Sequence, residues 1–274
     1  MNHIFSFTFL IAQRLISAAL FGILLLIIFA ITSLMTDQSY WGFYRYDYLF
    51  FCAVLIQILM LYFKLESLNE VKVIALFHLM AMCMELVLTA PHIGSWQYPE
   101  PAILKILTVP LFAGFMYSAV GSFFVRLIRL FSVCFEKLPH LGNMSALAVL
   151  AFINFMSKFF IVDIRSLLFV WSILIFWRTK IWFNVQHYTM KLPLLPVLIF
   201  FAFIIWIAEN ISTFYDIWVY PNQADGWRLV WLGKIGSWYL LLLLSFVSVL
   251  VLLGQRQKNG HWYMREQFIG HKKR

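Results

Sequence analysis

The sequence predicts an all-α polytopic membrane protein with about eight transmembrane helices. Three observations lead to this fold class. First, 63% of the 274 residues are hydrophobic and only 12% are charged, whereas soluble domains are about a quarter charged. Second, the chain is rich in Phe (29), Tyr (12) and Trp (11), and the last two concentrate where a bilayer meets water. Third, apolar stretches of about 20 residues recur along the chain.

The predicted helices follow one another with short polar connections. The first apolar stretch begins after Arg14, is longer than the apolar core of a signal peptide and lacks a small-residue cleavage site. We therefore expect it to be a retained span. Two later helices contain an internal glutamate, Glu85 or Glu209, and the fifth and sixth form a tight pair that meets near Asp163. The eight predicted helices cover residues 15–35, 48–63, 73–90, 106–125, 144–160, 163 to about 182, 192–215 and 235–254.

The distribution of cations predicts the orientation in the membrane. With the N-terminus in the cytoplasm, most of the 21 Lys and Arg residues fall on the cytoplasmic side, as is usual for multi-pass proteins. An even number of spans then places the C-terminus there as well. We expect residues 1–254 to form a single transmembrane domain and residues 255–274 a basic cytoplasmic tail. Its cations and aromatic residues predict contact with anionic membrane lipids and not with nucleic acid.

Two segments of the chain resemble each other. They are Glu85-x3-Thr89 followed by Trp96-x-Tyr98-Pro99, and Glu209-x3-Thr213 followed by Trp218-x-Tyr220-Pro221. The segments fall on the third and seventh predicted helices, which have the same orientation. The sequence therefore predicts two parallel four-helix repeats, about residues 15–125 and 144–254, related by an axis along the membrane normal.

Glu85 and Glu209 are the predicted catalytic residues. A residue and the fourth one after it share a helix face, so each glutamate lies beside the threonine of its own segment. A carboxyl group inside a bilayer is costly unless it is neutral, paired or hydrated. We therefore expect both glutamates to face one cavity, with their carboxyl groups within about 12 Å of each other. The alternative is a structural role, in which each protonated carboxyl bonds a neighbouring helix.

Residues around the two glutamates complete the predicted site. The predicted substrate-binding residues are Thr89, Trp96, Tyr98, Trp206, Asn210, Thr213, Trp218 and Tyr220. The predicted charge partners are Lys158, Asp163, Arg165 and Lys234. The two Trp-x-Tyr-Pro segments either cover the cavity or form ordinary aromatic turns at the membrane surface.

Several kinds of site are excluded by the sequence. It contains no HExxH metal motif, no GxSxG nucleophile motif, no phosphate-binding loop and no dinucleotide fingerprint. The spacing of Cys52, Cys83 and Cys134 favours apolar packing over a zinc or redox site. We therefore expect neither a metal nor a cofactor.

Ordered motifs from the third predicted helix onward carry a family resemblance. They include Gly94-Ser95-Trp96-x-Tyr98-Pro99-Glu100, Gly114-Phe115-Met116-Tyr117, Asp163-x-Arg165, Ala208-Glu209-Asn210 and Lys234-x-Gly236-Ser237-Trp238. In this order they resemble an uncharacterised family of bacterial membrane proteins, the YoaT type. The resemblance implies a bacterial inner-membrane location and no particular activity. The Glu-x3-Thr pattern is also similar to that of membrane carotenoid hydratases and heterodimeric lycopene cyclases, which combine intramembrane carboxyl groups with aromatic walls.

These observations leave three functions open. The first is an enzyme or binding protein for a hydrophobic lipid or isoprenoid-like molecule. In it a glutamate protonates a C=C bond and aromatic rings stabilise the cation. The second is a proton-coupled small-molecule transporter, because paired intramembrane carboxyl groups and parallel repeats suit alternating access. The third is a non-catalytic accessory subunit of a membrane assembly.

Overall fold

The computed structural model describes residues 2–35, 39–185, 188–257 and 260–265 of the chain. Lys258 and residues 266–274, which make up much of the predicted basic tail, lie outside the described residues. Helices dominate the part that is described. They are α1 (Asn2–Ala18), α2 (Leu20–Thr32), α3 (Arg45–Tyr62), α4 (Leu68–Leu88), α5 (Ala113–Leu130), α6 (Leu141–Ser157), α7 (Arg165–Phe176), α8 (Leu194–Phe214) and α9 (Lys234–Leu253).

Every predicted helix overlaps an observed helix, but the first one is interrupted. The chain leaves the helical conformation at Ala19, between α1 and α2. Arg14 therefore lies within α1 and not before the first helix. Its Nη1 atom donates hydrogen bonds to the carbonyl oxygens of Leu130 (2.8 Å) and Asn184 (3.0 Å), and these contacts accommodate the charge inside an apolar stretch.

Helix length limits how many spans the structure supports. In the described part of the chain, α3, α4, α5, α8 and α9 are long and apolar enough to cross a membrane, and the interrupted pair α1–α2 counts as a sixth. Helices α6 and α7 are apolar but have only 17 and 12 residues. The protein is thus mostly helical, with several apolar helices compatible with a membrane protein. The prediction of eight spans goes beyond this count.

The prediction of an all-α fold holds in part, because the mostly helical chain also forms short strands among its described residues. β1 (Lys105–Ile106) and β2 (Val109–Pro110) make a two-stranded sheet. A second, antiparallel sheet has the strand order β5-β4-β3-β7-β6. Its strands are β3 (Cys134–Glu136), β4 (Lys180–Val185), β5 (Tyr188–Pro193), β6 (Gly254–Arg256) and β7 (Trp262–Met264).

The five-stranded sheet includes residues that hydropathy predicts to lie in helices or in the basic tail. The sequence predicts residues 180–182 as the end of the sixth helix, whereas in the structure they belong to β4. In β4 the side chains of Ile181, Phe183 and Val185 are buried and the residues between them are more exposed. This alternation has the two-residue period of a strand. A search for long apolar stretches does not separate that pattern from a helix, because both are rich in apolar residues.

The chain folds into two compact units, each of which draws on both predicted halves. The first unit contains Met1–Leu20, Phe123–Phe203 and Ile235–Arg274. In it the large sheet packs on helices through aromatic pairs, with the rings of Phe135 and Phe246 5.0 Å apart. The prediction of a single transmembrane domain stays a prediction.

The second unit contains Phe21–Ser122 and Ile204–Lys234. Its helices α4 and α5 pack closely because small residues of α5 face α4. A Cβ atom added at Gly121 would lie 2.4 Å from the ring of Phe77, and the Ser118 hydroxyl donates to the Ile74 carbonyl (3.3 Å). This unit contains both predicted catalytic glutamates.

Candidate functional site

Glu85 lies in the last turn of α4 and is almost completely buried, with 1% of its surface exposed. Its Oε2 atom accepts two hydrogen bonds, one from the indole Nε1 of Trp96 and one from the hydroxyl of Tyr98, both 2.9 Å long. Both donors belong to the first Trp-x-Tyr-Pro segment. The loop after α4 therefore folds back onto the carboxyl group of that helix.

Glu209 occupies the corresponding position in α8 and is 3% exposed. Its Oε1 atom accepts a 2.6 Å hydrogen bond from the hydroxyl of Tyr220, which belongs to the second Trp-x-Tyr-Pro segment. The Trp218 side chain interacts in turn with the Tyr220 hydroxyl. In both segments the tyrosine of the motif thus donates to the glutamate that precedes it.

The two Trp-x-Tyr-Pro segments are paired through their backbones. Gln97 and Val219 form an antiparallel bridge in which each N–H donates to the other residue's carbonyl at 2.9 Å. The rings of Trp96 and Tyr220 lie 6.1 Å apart in an edge-on arrangement. The pairing holds the donor groups of the two glutamates side by side.

Lys234, at the start of α9, is the predicted charge partner that the structure brings to these loops. Its Nζ atom lies 4.1 Å from the ring centroid of Tyr220 and 5.5 Å from that of Trp96. Its positive charge also attracts the carboxyl group of Glu85. Cation–π contacts of this kind hold an ammonium group in place where water is scarce.

The two motif tyrosines remain protonated under ordinary conditions. Burial, followed by the negative charge of Glu85, raises the pKa of Tyr98 far above its usual value. Burial and Glu209 raise the pKa of Tyr220 in the same way. Both phenols therefore serve as hydrogen-bond donors to carboxylates, and their protons are not released near neutral pH.

Tyr117 of α5 is a site residue that the sequence-based prediction missed. Its half-buried side chain interacts electrostatically with Glu85, Tyr220 and Glu209, so it lies in the surroundings of both carboxyl groups. It belongs to the Gly114-Phe115-Met116-Tyr117 motif that carried the family resemblance. That motif was the available signal, but an aromatic residue within an apolar helix gives no local indication of a polar partner.

The four other predicted substrate-binding residues bond within the protein. Thr89 donates to the Glu85 carbonyl and shares a hydrogen bond with Thr108, both 2.8 Å long. Thr213 accepts a 3.2 Å hydrogen bond from Trp227. The Trp206 indole donates to the Val230 carbonyl (3.1 Å), and the Asn210 side chain accepts from the Val230 amide (2.9 Å). Their polar groups thus fasten the chain around the glutamates, and their role in substrate binding stays a prediction.

Lys158, Asp163 and Arg165 lie in the first unit, where the structure gives them partners other than a glutamate. Asp163 accepts a 2.6 Å hydrogen bond from Nε of Arg165 and a 3.1 Å hydrogen bond from the side chain of Asn154. The Lys158 ammonium lies 5.0 Å from the ring centroid of Phe159. These contacts organise the turn between α6 and α7. Of the four predicted charge partners, Lys234 shares a unit with the glutamates.

The start of α3 anchors the first loop, which the sequence did not indicate. The buried guanidinium of Arg45 pairs with Glu100, the residue after the first Trp-x-Tyr-Pro segment, and donates to the carbonyls of Phe29 (3.1 Å) and Tyr215 (2.9 Å). Asp47 accepts from the backbone amide of Leu104 at 2.7 Å. These bonds fix the loop that supplies the Glu85 donors.

The site thus consists of two buried carboxyl groups that receive hydrogen bonds from phenol and indole groups. A carboxyl group with such donors can hold a negative charge in apolar surroundings, and it can also carry a proton. Among the described residues no group of three His, Cys, Asp or Glu side chains is placed to hold a metal ion. Each of the two carboxyl groups can take up or release a proton.

Residues 6–246 match the protein family described as "Protein of unknown function (DUF817)". Over 205 residues the chain is 43% identical to the uncharacterised protein YoaT of Bacillus subtilis (strain 168), an alignment that covers 75% of this chain and 77% of that protein. No solved structure matches the chain. The two matches confirm the resemblance to the YoaT-type family. The likeness to carotenoid hydratases and lycopene cyclases stays a prediction.

Proposed function

The chain belongs to the DUF817 family, and we propose that it is a bacterial inner-membrane protein that acts on a hydrophobic substrate through two buried glutamates. Glu85 and Glu209 are the acid and base, and the substrate is a lipid or an isoprenoid-like molecule. The reaction uses no cofactor. Membrane lipids surround the protein and supply the hydrophobic substrate.

The proposal includes a topology of eight spans in two parallel four-helix repeats, with both termini in the cytoplasm. The interrupted pair α1–α2 counts as the first span, and the short helices α6 and α7 enter the membrane as a tight pair. Asn154 supports that pair, because its side chain accepts from the Ile164 amide (2.9 Å) in the turn between them. The repeat is supported by the bridge between Gln97 and Val219, which hold the same position in the two motifs.

The observation that carries the function is the matched bonding of the two glutamates. Each is buried inside an apolar helix, and each accepts from the tyrosine of its own Trp-x-Tyr-Pro segment, Tyr98 or Tyr220. Burial of a carboxyl group costs several kcal/mol unless it is hydrogen-bonded or neutral, so a pair used only for packing is an expensive arrangement. Two such groups that interact titrate as a unit and divide the roles of acid and base.

In the proposed reaction, the protonated glutamate transfers its proton to one carbon of a C=C bond. The π electrons form the new C–H bond, and a carbocation remains at the other carbon. The electron-rich faces of Trp96, Tyr98 and Tyr220 stabilise that charge. The second glutamate, as a carboxylate, then takes a proton from a water molecule that adds to the cation or from the neighbouring carbon. The net change is hydration or isomerisation.

The test is complementation of a deletion strain followed by lipid extraction and mass spectrometry. Glu85→Gln and Glu209→Gln preserve size and hydrogen bonding but remove the exchangeable acid, so each is expected to lose a lipid product that the wild type restores. Glu66→Gln is the matched control, because Glu66 is equally buried but bonds Gln57 and Ser122, away from the Trp-x-Tyr-Pro segments. If both site variants restore the product as fully as the wild type does, the acid–base proposal is wrong.

The same variants separate the alternatives. For a proton-coupled transporter, proteoliposomes show solute uptake driven by a pH gradient, and both glutamine variants abolish it without changing any lipid. For an accessory subunit, neither lipid products nor uptake respond to the glutamine substitutions, whereas deletion of the whole chain destabilises a partner complex. Either result replaces the enzymatic proposal.

A further inference from the structure

The first unit contains an apolar groove that takes no part in the glutamate site. Its volume is about 300 Å³, at the lower end of the range for small-molecule sites. All of its lining side chains are hydrocarbon, aromatic or thioether groups: Ile11, Leu15, Phe131, Phe183, Met190, Leu192, Pro193, Pro196, Val197, Phe200 and Phe201.

The sequence periodicity of three elements explains why the groove is apolar. Ile11 and Leu15 are four residues apart on α1 and therefore share one helix face. Met190 and Leu192 alternate along β5 and therefore point to one face of the sheet, the face of their β4 partners. Val197 and Phe201 contribute one face of the first turns of α8. Three apolar faces converge, and Leu192 (41% exposed) and Phe200 (54% exposed) leave the groove open along one side.

The charged side chain of Arg14 lies at the edge of this groove. Arg14 is on α1 between Ile11 and Leu15, and its guanidinium carbon lies 5.8 Å from the ring centroid of Phe131, which lines the groove. The Nη1 atom of Arg14 donates two hydrogen bonds, one to the backbone carbonyl of Leu130 and one to that of Asn184. No described residue accepts from its other two nitrogens. A guanidinium can donate from all three nitrogens, in a geometry that suits phosphate.

We propose that this groove binds one acyl chain of an anionic phospholipid, with the lipid phosphate at Arg14. The apolar lining excludes a polar ligand, the open side allows entry from the bilayer, and the guanidinium of Arg14 sets the charge of the headgroup. The apolar groove thus matches the acyl chain of such a lipid, and the guanidinium matches its phosphate. This proposal is independent of the proposed acid–base function, because every residue it uses lies in the first unit and none bonds Glu85 or Glu209.

Native mass spectrometry of the full-length protein tests the headgroup preference. The protein is released from nanodiscs that contain equal amounts of dioleoyl phosphatidylglycerol and dioleoyl phosphatidylcholine. We expect the wild type to retain phosphatidylglycerol roughly fivefold more than phosphatidylcholine, the effect of one cation near an anionic headgroup. Arg14→Gln is expected to remove the preference, whereas Arg178→Gln, which changes an exposed arginine stacked on Trp177, leaves it intact. Equal retention of the two lipids by the wild type overturns the proposal.

A second pair of variants tests the groove without touching the cation. Val197→Trp fills the groove and is expected to reduce retention of both lipids several-fold. Val170→Trp is its control, because Val170 is exposed on α7 and does not line the groove. If Arg14→Gln does not fold, the lipid preference of the wild type and the comparison of Val197→Trp with Val170→Trp still test the proposal. Unchanged lipid retention in folded Val197→Trp contradicts the acyl-chain site.

Discussion

The backbones of Gln97 and Val219 exchange two hydrogen bonds of 2.9 Å, and each residue is the variable position of a Trp-x-Tyr-Pro segment. An antiparallel pair in which corresponding residues exchange both bonds has local two-fold symmetry. On either side of this bridge, Tyr98 donates to Glu85 and Tyr220 donates to Glu209. The bridge therefore holds together the two loops that supply the donors of the buried carboxyl groups.

Breaking this bridge is expected to weaken the site as a whole. Val219→Pro removes one donor and leaves the Gln97 carbonyl without its partner, which costs about 1–3 kcal/mol. The expected result is a lower apparent Tm and faster hydrogen exchange at the Gln97 amide. Val219→Ala keeps both backbone bonds and serves as the control. Slow exchange at Gln97 in the proline variant would show that the bridge does not hold the loops.

The close approach of α4 and α5 predicts intolerance to a single methyl group. A Cβ atom at Gly121 would lie 2.4 Å from the buried ring of Phe77, so Gly121→Ala forces the helices apart at a cost of about 1–3 kcal/mol. Gly22→Ala is the control, because its Cβ would lie 3.8 Å from Ala119, an ordinary contact, and alanine favours a helix. We expect thermal unfolding to show a lower Tm for the first variant only. Equal Tm values would contradict this packing.

The buried Arg45 and the partly buried Glu100 form an ion pair whose loss is expected to be costly. Arg45→Met removes the guanidinium that pairs with Glu100 and that donates to the carbonyls of Phe29 and Tyr215. Removal of one partner of a buried pair typically costs about 3–5 kcal/mol. The double variant Arg45→Met/Glu100→Gln is expected to be more stable than the sum of the single effects predicts. Additive losses in denaturant unfolding would mean that the two residues are not coupled.

The pair formed by Lys191 and Glu136 predicts a dependence of stability on pH. The hydrogen bond from Lys191 (2.6 Å) lowers the pKa of Glu136 below its ordinary value of 4.5, with a further bond from Trp182. A lowered pKa in the folded state means that the stabilisation is present above pH 4.5 and is lost as the pH falls below that value. Because both side chains reach solvent, the effect is small and decreases with salt.

Thermal unfolding of Lys191→Gln against the wild type measures this effect. The Tm difference is expected at neutral pH and low salt, and it shrinks as the pH falls below 4.5. Lys64→Gln, which removes an exposed cation from the second unit, controls for net charge. A Tm difference that is the same at neutral and acidic pH would exclude the carboxyl group as its source.

The helices were predictable because hydropathy acts locally. Every predicted helix overlaps an observed one, since about 20 consecutive apolar residues leave few alternatives. Their ends were harder to predict. The break at Ala19 lies within an uncharged apolar stretch, and the strand at Lys180–Val185 mixes apolar and polar residues. In neither place does composition alone distinguish one element from another. The alternation of burial along β4 becomes visible only when its two faces are known.

The residues of the candidate site also differ in whether the sequence predicts them. The glutamates and their shared motif were visible because each motif fits within one helix and the loop after it. Tyr117 was not visible, because its polar neighbours come from α4 and α8 and from the loop after α8. Charge and predicted depth indicate Lys158, Asp163 and Arg165 as partners of the glutamates, yet the structure pairs Asp163 with Arg165 in a turn of the first unit. Charge indicates that a residue needs a partner, but it does not identify the partner.

The sequence by itself determined the helical character, the apolar environment and the position of Glu85 and Glu209 on their helices. All three follow from residues that are neighbours along the chain or one helical turn apart. Only the tertiary structure decided that Arg45 pairs with Glu100 and that Gln97 bridges Val219, and it alone joined β3, β4 and β7 in one sheet. The physical reason is that a hydrogen bond needs its two atoms about 3 Å apart, and for residues far apart in sequence that distance is set by packing.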